Sequence, residues 1–252
     1  MRWRVTAILL GLTAVIGYFT MSVVLCIITQ DTVLGALTAN LVTILITLMI
    51  RNKMRRHPFV QPRHVSRTEI ALIPLIVVTV NLTATVTALW VKQHTGSTTL
   101  NEQVLGNTPV ALVLLLGLIF APLGEEALMR GCVYPIVRNR FSPTVTIAVT
   151  TVVFSLMHGN LAQITLTLPL GVVLGYLYER THRLSLCVIA HSLFNLTAML
   201  IPSKQIENVT VPIITTLATT ILIAMWISVT QQMNAETDTQ SQLSPTASDK
   251  AL

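Results

Sequence analysis

Ala121-Pro-Leu-Gly-Glu-Glu-Ala-Leu-Met-Arg-Gly131 places two adjacent acids and an arginine in the middle of a long apolar segment. An ionisable side chain near the centre of a bilayer costs about 2.5 kcal/mol or more on insertion scales. Glu125, Glu126 and Arg130 are therefore expected to have a functional reason for their position. The other apolar segments are expected to supply their partners.

The composition is that of a membrane protein. Of the 252 residues, 52% are hydrophobic and 10% are charged, whereas a soluble domain carries about 25% charge. The net charge of +6 does not indicate nucleic-acid binding, because the cations stand between apolar runs and are explained by membrane topology. We predict an all-α, polytopic membrane bundle.

Apolar segments of suitable length recur along the chain, since a helix needs about 20 apolar residues to span a bilayer. Eight are predicted, at 5–29, 32–50, 70–91, 109–137, 144–158, 161–178, 184–201 and 209–230. We interpret the first as a retained helix rather than a signal peptide, because its apolar run is too long and no small-residue cleavage site follows it. Residues 1–230 are predicted to form one membrane domain, and 231–252 a disordered cytosolic tail.

The distribution of cations predicts the orientation. If the N-terminus is cytosolic, the following cations lie inside: Arg2, Arg4, Arg51, Lys53, Arg55, Arg56, Arg63, Arg67, Arg138, Arg140, Arg180, Arg183 and Lys250. Lys92 and Lys204 then lie in outside loops. By the positive-inside rule we predict a multi-pass protein of the cell membrane with both termini cytosolic.

The sixth segment contains a packing motif. Gly171 and Gly175 form a GxxxG pair, which allows a neighbouring helix to approach closely. Pro169 nearby leaves one backbone carbonyl without its helical donor. We expect this region to serve packing rather than chemistry.

Two further motifs bring histidines into the membrane. Phe154-Ser-Leu-Met-His158 ends the fifth segment, and His191-Ser-Leu-Phe-Asn195 lies within the seventh. Residues four apart share a helix face, so Phe154 is expected to pack on His158, and His191 to point to the same place as Asn195. On the helical rise of 1.5 Å per residue, these groups and Glu125 fall in one layer.

Spacing also separates the two acids. Glu126 and Arg130 are i, i+4 with the acid first, which favours an ion pair. Glu125 lies about 100° further round the helix and is left without that partner. A carboxylate in such a place can act as a general base towards water, while His191 and Asn195 can donate to a developing oxyanion. The set is suited to hydrolysis of a carbonyl compound.

The three motifs together resemble the CPBP family of intramembrane proteases, which includes type II CAAX prenyl endopeptidases and bacteriocin-processing or self-immunity proteins (Abi). The resemblance covers about 110–200. It implies that Glu125 and His158 activate water and that His191 and Asn195 hold the oxyanion, supported by Glu126, Arg130 and Phe154. Met129 stands where many members have an aromatic residue, so the wall of the cavity is expected to differ.

Metal dependence stays open at this point. Glu125, His158 and His191 are candidate ligands for zinc with one open position, and the family is often described as metalloproteases. However, the chain has no HExxH helix, and the water-activation scheme needs no metal.

The function indicated is an intramembrane endopeptidase acting on a peptide or a membrane-anchored protein. One alternative is a non-enzymatic membrane protein for bacteriocin immunity that binds its partner and uses the polar cluster to fix helix packing. A weaker alternative is a transporter with a proton relay, for which no inverted repeat is found. The sequence indicates neither the cleavage site nor the oligomeric state.

Overall fold

A computed structural model describes residues 2–53, 60–96, 108–201 and 208–243. Over these ranges the chain forms helices and no strand, as the composition predicts. In chain order they are α1 (Arg2–Thr29), α2 (Thr32–Lys53), α3 (Arg67–Thr95), α4 (Val110–Arg138), α5 (Pro143–Leu156), α6 (Leu161–Thr181), α7 (Leu184–Leu200) and α8 (Thr210–Leu243). Each helix coincides with one predicted apolar segment, and the all-α fold is confirmed.

The bundle has the surface of a membrane protein. Five segments in the described ranges are long and apolar enough to cross a bilayer: Thr32–Asn52, Arg67–Thr95, Val110–Arg138, Leu161–Thr181 and Thr210–Gln232. Large apolar side chains such as Leu75, Leu156 and Leu200 are well exposed, and lipid is the solvent that accommodates such a surface. The chain is a polytopic helical membrane bundle, while the number of crossings and the side of the termini stay predictions.

Polar caps set where several helices begin. At the start of α3, Ser66 Oγ accepts from the Glu69 N–H over 3.1 Å, and Glu69 Oε2 accepts from the Ser66 N–H over 2.9 Å. This reciprocal capping box satisfies two donors that a helix N-terminus leaves free. Asn160 caps α6 with a single bond to the backbone, in which its Oδ1 accepts from the Gln163 N–H over 2.8 Å.

The fifth helix is shorter than predicted. It ends at Leu156, so His158 lies in the turn after the helix and is not its last residue. The His158 N–H bonds the Ser155 carbonyl over 3.1 Å, an i→i−3 bond that tightens the end of the helix. Gly159 follows with φ +71°, a conformation that glycine adopts readily.

The last helix is longer than predicted. α8 continues past residue 230, where the predicted disordered tail begins, to Leu243. Residues 231–243 contain neither glycine nor proline, so nothing in that stretch interrupts the helix. Residues 244–252 of the tail lie outside the described ranges, as do Arg55, Arg56, Lys204 and Lys250 of the orientation argument.

α4 lies at the centre of the packing. It contacts α1 and α2 on one side and α5 and α7 on the other, while α6 packs against α3 and α5. The predicted GxxxG motif brings α5 and α6 together: a Cβ at Gly171 would lie 2.9 Å from a Thr151 carbon, and one at Gly175 would lie 3.1 Å from Ile147. The absence of side chains there permits the close approach.

A polar network gathers at one end of the bundle. Arg138 binds both carboxylate oxygens of Glu179 from α4 to α6 at 3.0–3.1 Å, and Arg180 pairs with Glu69 at 2.9 Å. Arg51 donates to the Tyr178 hydroxyl over 3.0 Å. Arg51, Arg138 and Arg180, which are predicted to be cytosolic, therefore lie at the same end of the bundle.

Candidate active site

The site is built around the buried ion pair of α4. Arg130 Nη1 lies 3.0 Å from Glu126 Oε1, and both side chains are fully buried. Arg130 Nη2 also donates to the Gly171 carbonyl of α6 over 3.1 Å, and its guanidinium carbon lies 5.1 Å from the centroid of the Phe154 ring. The i, i+4 pairing expected from the spacing is present, and it ties α4 to α5 and α6.

His191 of α7 lies between the two adjacent acids. Its Nδ1 is 2.9 Å from Glu126 Oε1. Because the pairing with Arg130 keeps Glu126 an acceptor, Nδ1 carries the hydrogen of this bond. The other ring nitrogen, Nε2, lies 3.9 Å from Glu125 Oε2.

Glu125 is placed differently from its neighbour. Its side chain is 17% exposed, whereas that of Glu126 is fully buried. Glu125 Oε2 is a buried atom for which the described residues provide no hydrogen-bond partner. The distance of 3.9 Å to His191 Nε2 is too long for a direct hydrogen bond, but one water molecule can bridge such a gap.

The Phe154 ring contacts both histidines of the site. The His158 and His191 rings both pack edge-on against it, with centroids 5.2 and 5.7 Å away. The contact predicted between Phe154 and His158 is present. His158 Nδ1 also lies 3.1 Å from the Phe154 carbonyl oxygen. The turn after α5 therefore places the first histidine beside the cluster of α4 and α7.

The Asn195 carboxamide is turned towards a backbone carbonyl of α4. Its Nδ2 donates to Gly117 O over 2.8 Å. The Gly117 carbonyl lacks its usual helical donor, the Ala121 N–H. Residues 116–120 are π-helical, and the Ala121 N–H bonds the Leu116 carbonyl instead. The π partner of Gly117 would be Pro122, which has no N–H. Asn195 supplies the missing donor.

This differs from the expectation that Asn195 and His191 point to the same place. His191 bonds Glu126, whereas one amide hydrogen of Asn195 is donated to the Gly117 carbonyl. A carboxamide has a second N–H donor. Pro122 was the available signal, because a proline inside a helix frees a carbonyl that a neighbouring helix must satisfy.

Two polar residues from α1 and α2 were missed. The Tyr18 hydroxyl donates to Asn40 Oδ1 over 3.3 Å. The Asn40 carboxamide packs directly on Gly124, where a Cβ would overlap it. Gly124 precedes Glu125, so Asn40 of α2 packs next to that acid in α4. A single amide within an otherwise apolar segment was the signal for Asn40.

The three candidate zinc ligands do not converge. Glu125 and His191 are neighbours, and a bond from His158 Nδ1 to the Phe154 carbonyl leaves only Nε2 of that ring as a possible ligand. In the part of the chain that the structure describes, no three His, Cys, Asp or Glu side chains form a group suited to a metal ion. This arrangement does not fit a three-ligand site.

The fold and the site define a polytopic helical membrane protein with an acid–histidine cluster inside the bundle. In a comparison with known proteins, residues 107–197 match the family described as type II CAAX prenyl endopeptidase Rce1-like. The resemblance to CPBP-type proteases is confirmed over this region. Each side chain of the acid–histidine cluster lies within it.

A relative is found in Bacillus subtilis (strain 168). It is YdiL, named as a candidate membrane peptidase, and it is 22% identical over 99 residues. The match covers 39% of this chain and 41% of the relative, so the two are similar over less than half of either protein. No solved structure matches the chain significantly.

Proposed function

We propose that the protein is an intramembrane endopeptidase that hydrolyses a peptide bond in a peptide or membrane-anchored protein. The observation that carries this proposal is the position of Glu125 Oε2, buried, unbonded among the described residues, and 3.9 Å from His191 Nε2. A carboxylate oxygen in that position is available to bind and deprotonate a water molecule. The match of residues 107–197 to a protease family supports the same activity.

In the proposed reaction Glu125 takes a proton from water while the water oxygen attacks the carbonyl carbon of the scissile bond. The carbonyl oxygen becomes an oxyanion in the tetrahedral intermediate. His191 Nε2, when protonated, and the second amide hydrogen of Asn195 are the proposed donors to it. The proton on Glu125 then passes to the leaving nitrogen as the C–N bond breaks. His158 is proposed to share the proton with Glu125.

Glu126 and Arg130 have a positioning role in this scheme. Glu126 accepts from both Arg130 and His191 through the same oxygen, Oε1. The arrangement keeps one imidazole nitrogen occupied and directs the other towards Glu125. A histidine fixed in this way acts with a defined ring orientation.

Processing of a bacteriocin or self-immunity is the biological role we propose, on the resemblance alone. The alternative, a non-enzymatic binding protein, has one observation in its favour. Arg130 and Asn195 both bond backbone carbonyls of neighbouring helices, at Gly171 and Gly117. Such bonds fix helix packing whether or not chemistry occurs. An immunity phenotype that survives Glu125→Gln would favour binding, and one lost with it would favour proteolysis.

Cleavage in ¹⁸O-labelled water tests the proposed reaction. The purified protein in detergent would be incubated with a pool of synthetic peptides, and the products would be analysed by mass spectrometry. We expect defined cleavage sites with one ¹⁸O atom in each new carboxyl group, and no products with Glu125→Gln. Products that form equally with Glu125→Gln would contradict the assignment of Glu125 as base.

A further inference from the structure

A groove between α3, α6 and α8 lies apart from the candidate active site. It has a volume of about 350 Å³ and is lined by side chains from all three helices, among them Ala84, Leu168, Val172, Thr220 and Ile223. The reactive side chains proposed above come from α4, α7 and the turn after α5. The groove is therefore a second feature of the bundle and needs its own explanation.

The groove exists because α8 packs mainly on α3 and touches α6 over a short length. On the α3 side, Thr87 Oγ1 lies 3.0 Å from Thr216 Oγ1. On the α6 side, the Tyr176 hydroxyl lies 2.7 Å from Thr230 Oγ1, one turn of α6 before Arg180. α6 and α8 thus meet near the cationic end of the bundle and leave the groove between them further along.

The lining is apolar although it contains several threonines. The hydroxyls of Thr165, Thr216 and Thr220 each donate to the carbonyl one turn earlier on their own helix, over 2.7–2.9 Å. No charged side chain in the described part of the chain lines the groove. An ordered water needs about two to four polar partners, so this groove suits an apolar occupant.

The groove is continuous with the surface that the bilayer covers. Its three helices are all among the segments long and apolar enough to cross a membrane. Leu168 lines the groove and is itself 38% exposed, and Leu217 and Ile221 on the adjoining surface of α8 are well exposed. Val172 precedes Arg180 by about 12 Å of helix. The groove therefore faces the leaflet away from the cationic end.

We propose that this groove binds an acyl chain of a phospholipid from that leaflet. Atoms that line a void lose their dispersion contacts on one side, and an acyl chain restores those contacts for Val172 and Ile223. The chain replaces a direct contact between α6 and α8. This inference concerns lipid binding and does not depend on the proposed hydrolysis.

The test uses the full chain in vesicles of phosphatidylglycerol and phosphatidylethanolamine, with a small fraction of phosphatidylglycerol that carries a diazirine in one acyl chain. Illumination attaches this chain to the residues that it contacts, and mass spectrometry of the digested protein locates them. Leu217 should be labelled by the surrounding lipid, and the fully buried Met129 should not. We expect label at Val172 and also at Ile223, which is 9% exposed.

Thr220→Trp and Ile221→Trp are the matched variants. The two residues are neighbours at exposed positions of α8, but Thr220 lines the groove and Ile221 does not. The indole in Thr220→Trp should fill the groove, so the label at Val172 and Ile223 should be lost while Leu217 stays labelled. Ile221→Trp should keep the label at all three positions.

Two results would overturn the proposal. Leu217 labelled without Ile223 in the unmodified protein would mean that the groove is closed or is covered by a second copy of the chain. Unchanged label at Ile223 in a folded Thr220→Trp would mean that the lipid reaches this residue by another route. If Thr220→Trp does not fold, Val172→Phe fills the groove from α6, and the label at Ile223 decides in the same way.

Discussion

His191 donates its Nδ1–H to Glu126 Oε1 over 2.9 Å, and this bond joins α7 to the buried ion pair of α4. Glu126 Oε1 thus has two partners, whereas Glu126 Oε2 and Glu125 Oε2 have none among the residues described. The two adjacent glutamates have the same chemistry but different surroundings. Glu126 joins α4 to α7, and Glu125 is the proposed base.

Gly171→Ala should destabilise the bundle. The added Cβ would lie 2.9–3.2 Å from atoms of Thr151, including its backbone Cα, so α5 and α6 would have to separate. Overpacking of this kind typically costs about 1–3 kcal/mol. Arg130 would lose part of its fit as well, because its Nη2 bonds the Gly171 carbonyl.

Gly17→Ala is the matched control for that substitution, since a Cβ at Gly17 meets nothing within 4 Å. Thermal unfolding in detergent should show a lower Tm for Gly171→Ala and an unchanged or slightly higher Tm for Gly17→Ala. Equal melting of the two variants would mean that α5 and α6 are not held at this separation.

The predicted orientation can be tested by cysteine labelling. His64→Cys and Thr95→Cys lie at exposed positions in segments predicted to be on opposite sides of the membrane. They would be made in a chain whose three free cysteines, Cys26, Cys132 and Cys187, have been replaced. An impermeant maleimide added to whole cells should label Thr95→Cys and not His64→Cys. The reverse pattern would invert the topology.

His158→Ala and Asn195→Ala should both slow turnover but change different features of the pH profile. His158 is proposed to share a proton with Glu125, so losing it should alter the shape of the profile. Loss of one oxyanion donor typically costs about 10²–10³ in kcat, and Asn195→Ala should scale the whole profile down. The same change of shape in both variants would refute this division.

Asn195→Ala needs a second readout, because Asn195 also satisfies the Gly117 carbonyl. Removing it leaves a helix carbonyl without a donor and should lower Tm. If Tm falls while kcat per folded molecule is unchanged, Asn195 braces the π-helical stretch and does not hold the oxyanion.

Hydropathy predicted the helices well, because a membrane helix must be apolar over most of its length whatever it packs against. The pairing of Glu126 with Arg130 also followed from spacing, since both lie on one helix and its geometry is regular. Contacts between different helices could not be predicted in this way. Nothing in the i, i+4 pattern of His191 and Asn195 indicates that one bonds an acid and the other a carbonyl.

The π-helical stretches of α4 explain part of that difficulty. They change the register of the helix at residues 116–120 and again at 127–133. The depth of Glu125 in the membrane was predicted from a rise of 1.5 Å per residue, which assumes a regular α-helix. α4 is not regular in this sense. Tyr18 and Asn40 escaped notice for another reason: neither belongs to a motif, and it is the packing of α2 against Gly124 that brings Asn40 next to Glu125.

The most direct test of the account compares Glu125→Gln with Glu126→Gln, each purified in detergent, by Tm and by cleavage of a quenched peptide substrate. Breaking a buried ion pair by removing one partner typically costs about 3–5 kcal/mol, so Glu126→Gln should lower Tm and the amount of folded protein. Glu125→Gln keeps the volume of the side chain and removes the proton acceptor. We predict that it melts like the unmodified chain and does not cleave. Normal cleavage by Glu125→Gln, with a folded but inactive Glu126→Gln, would contradict the account.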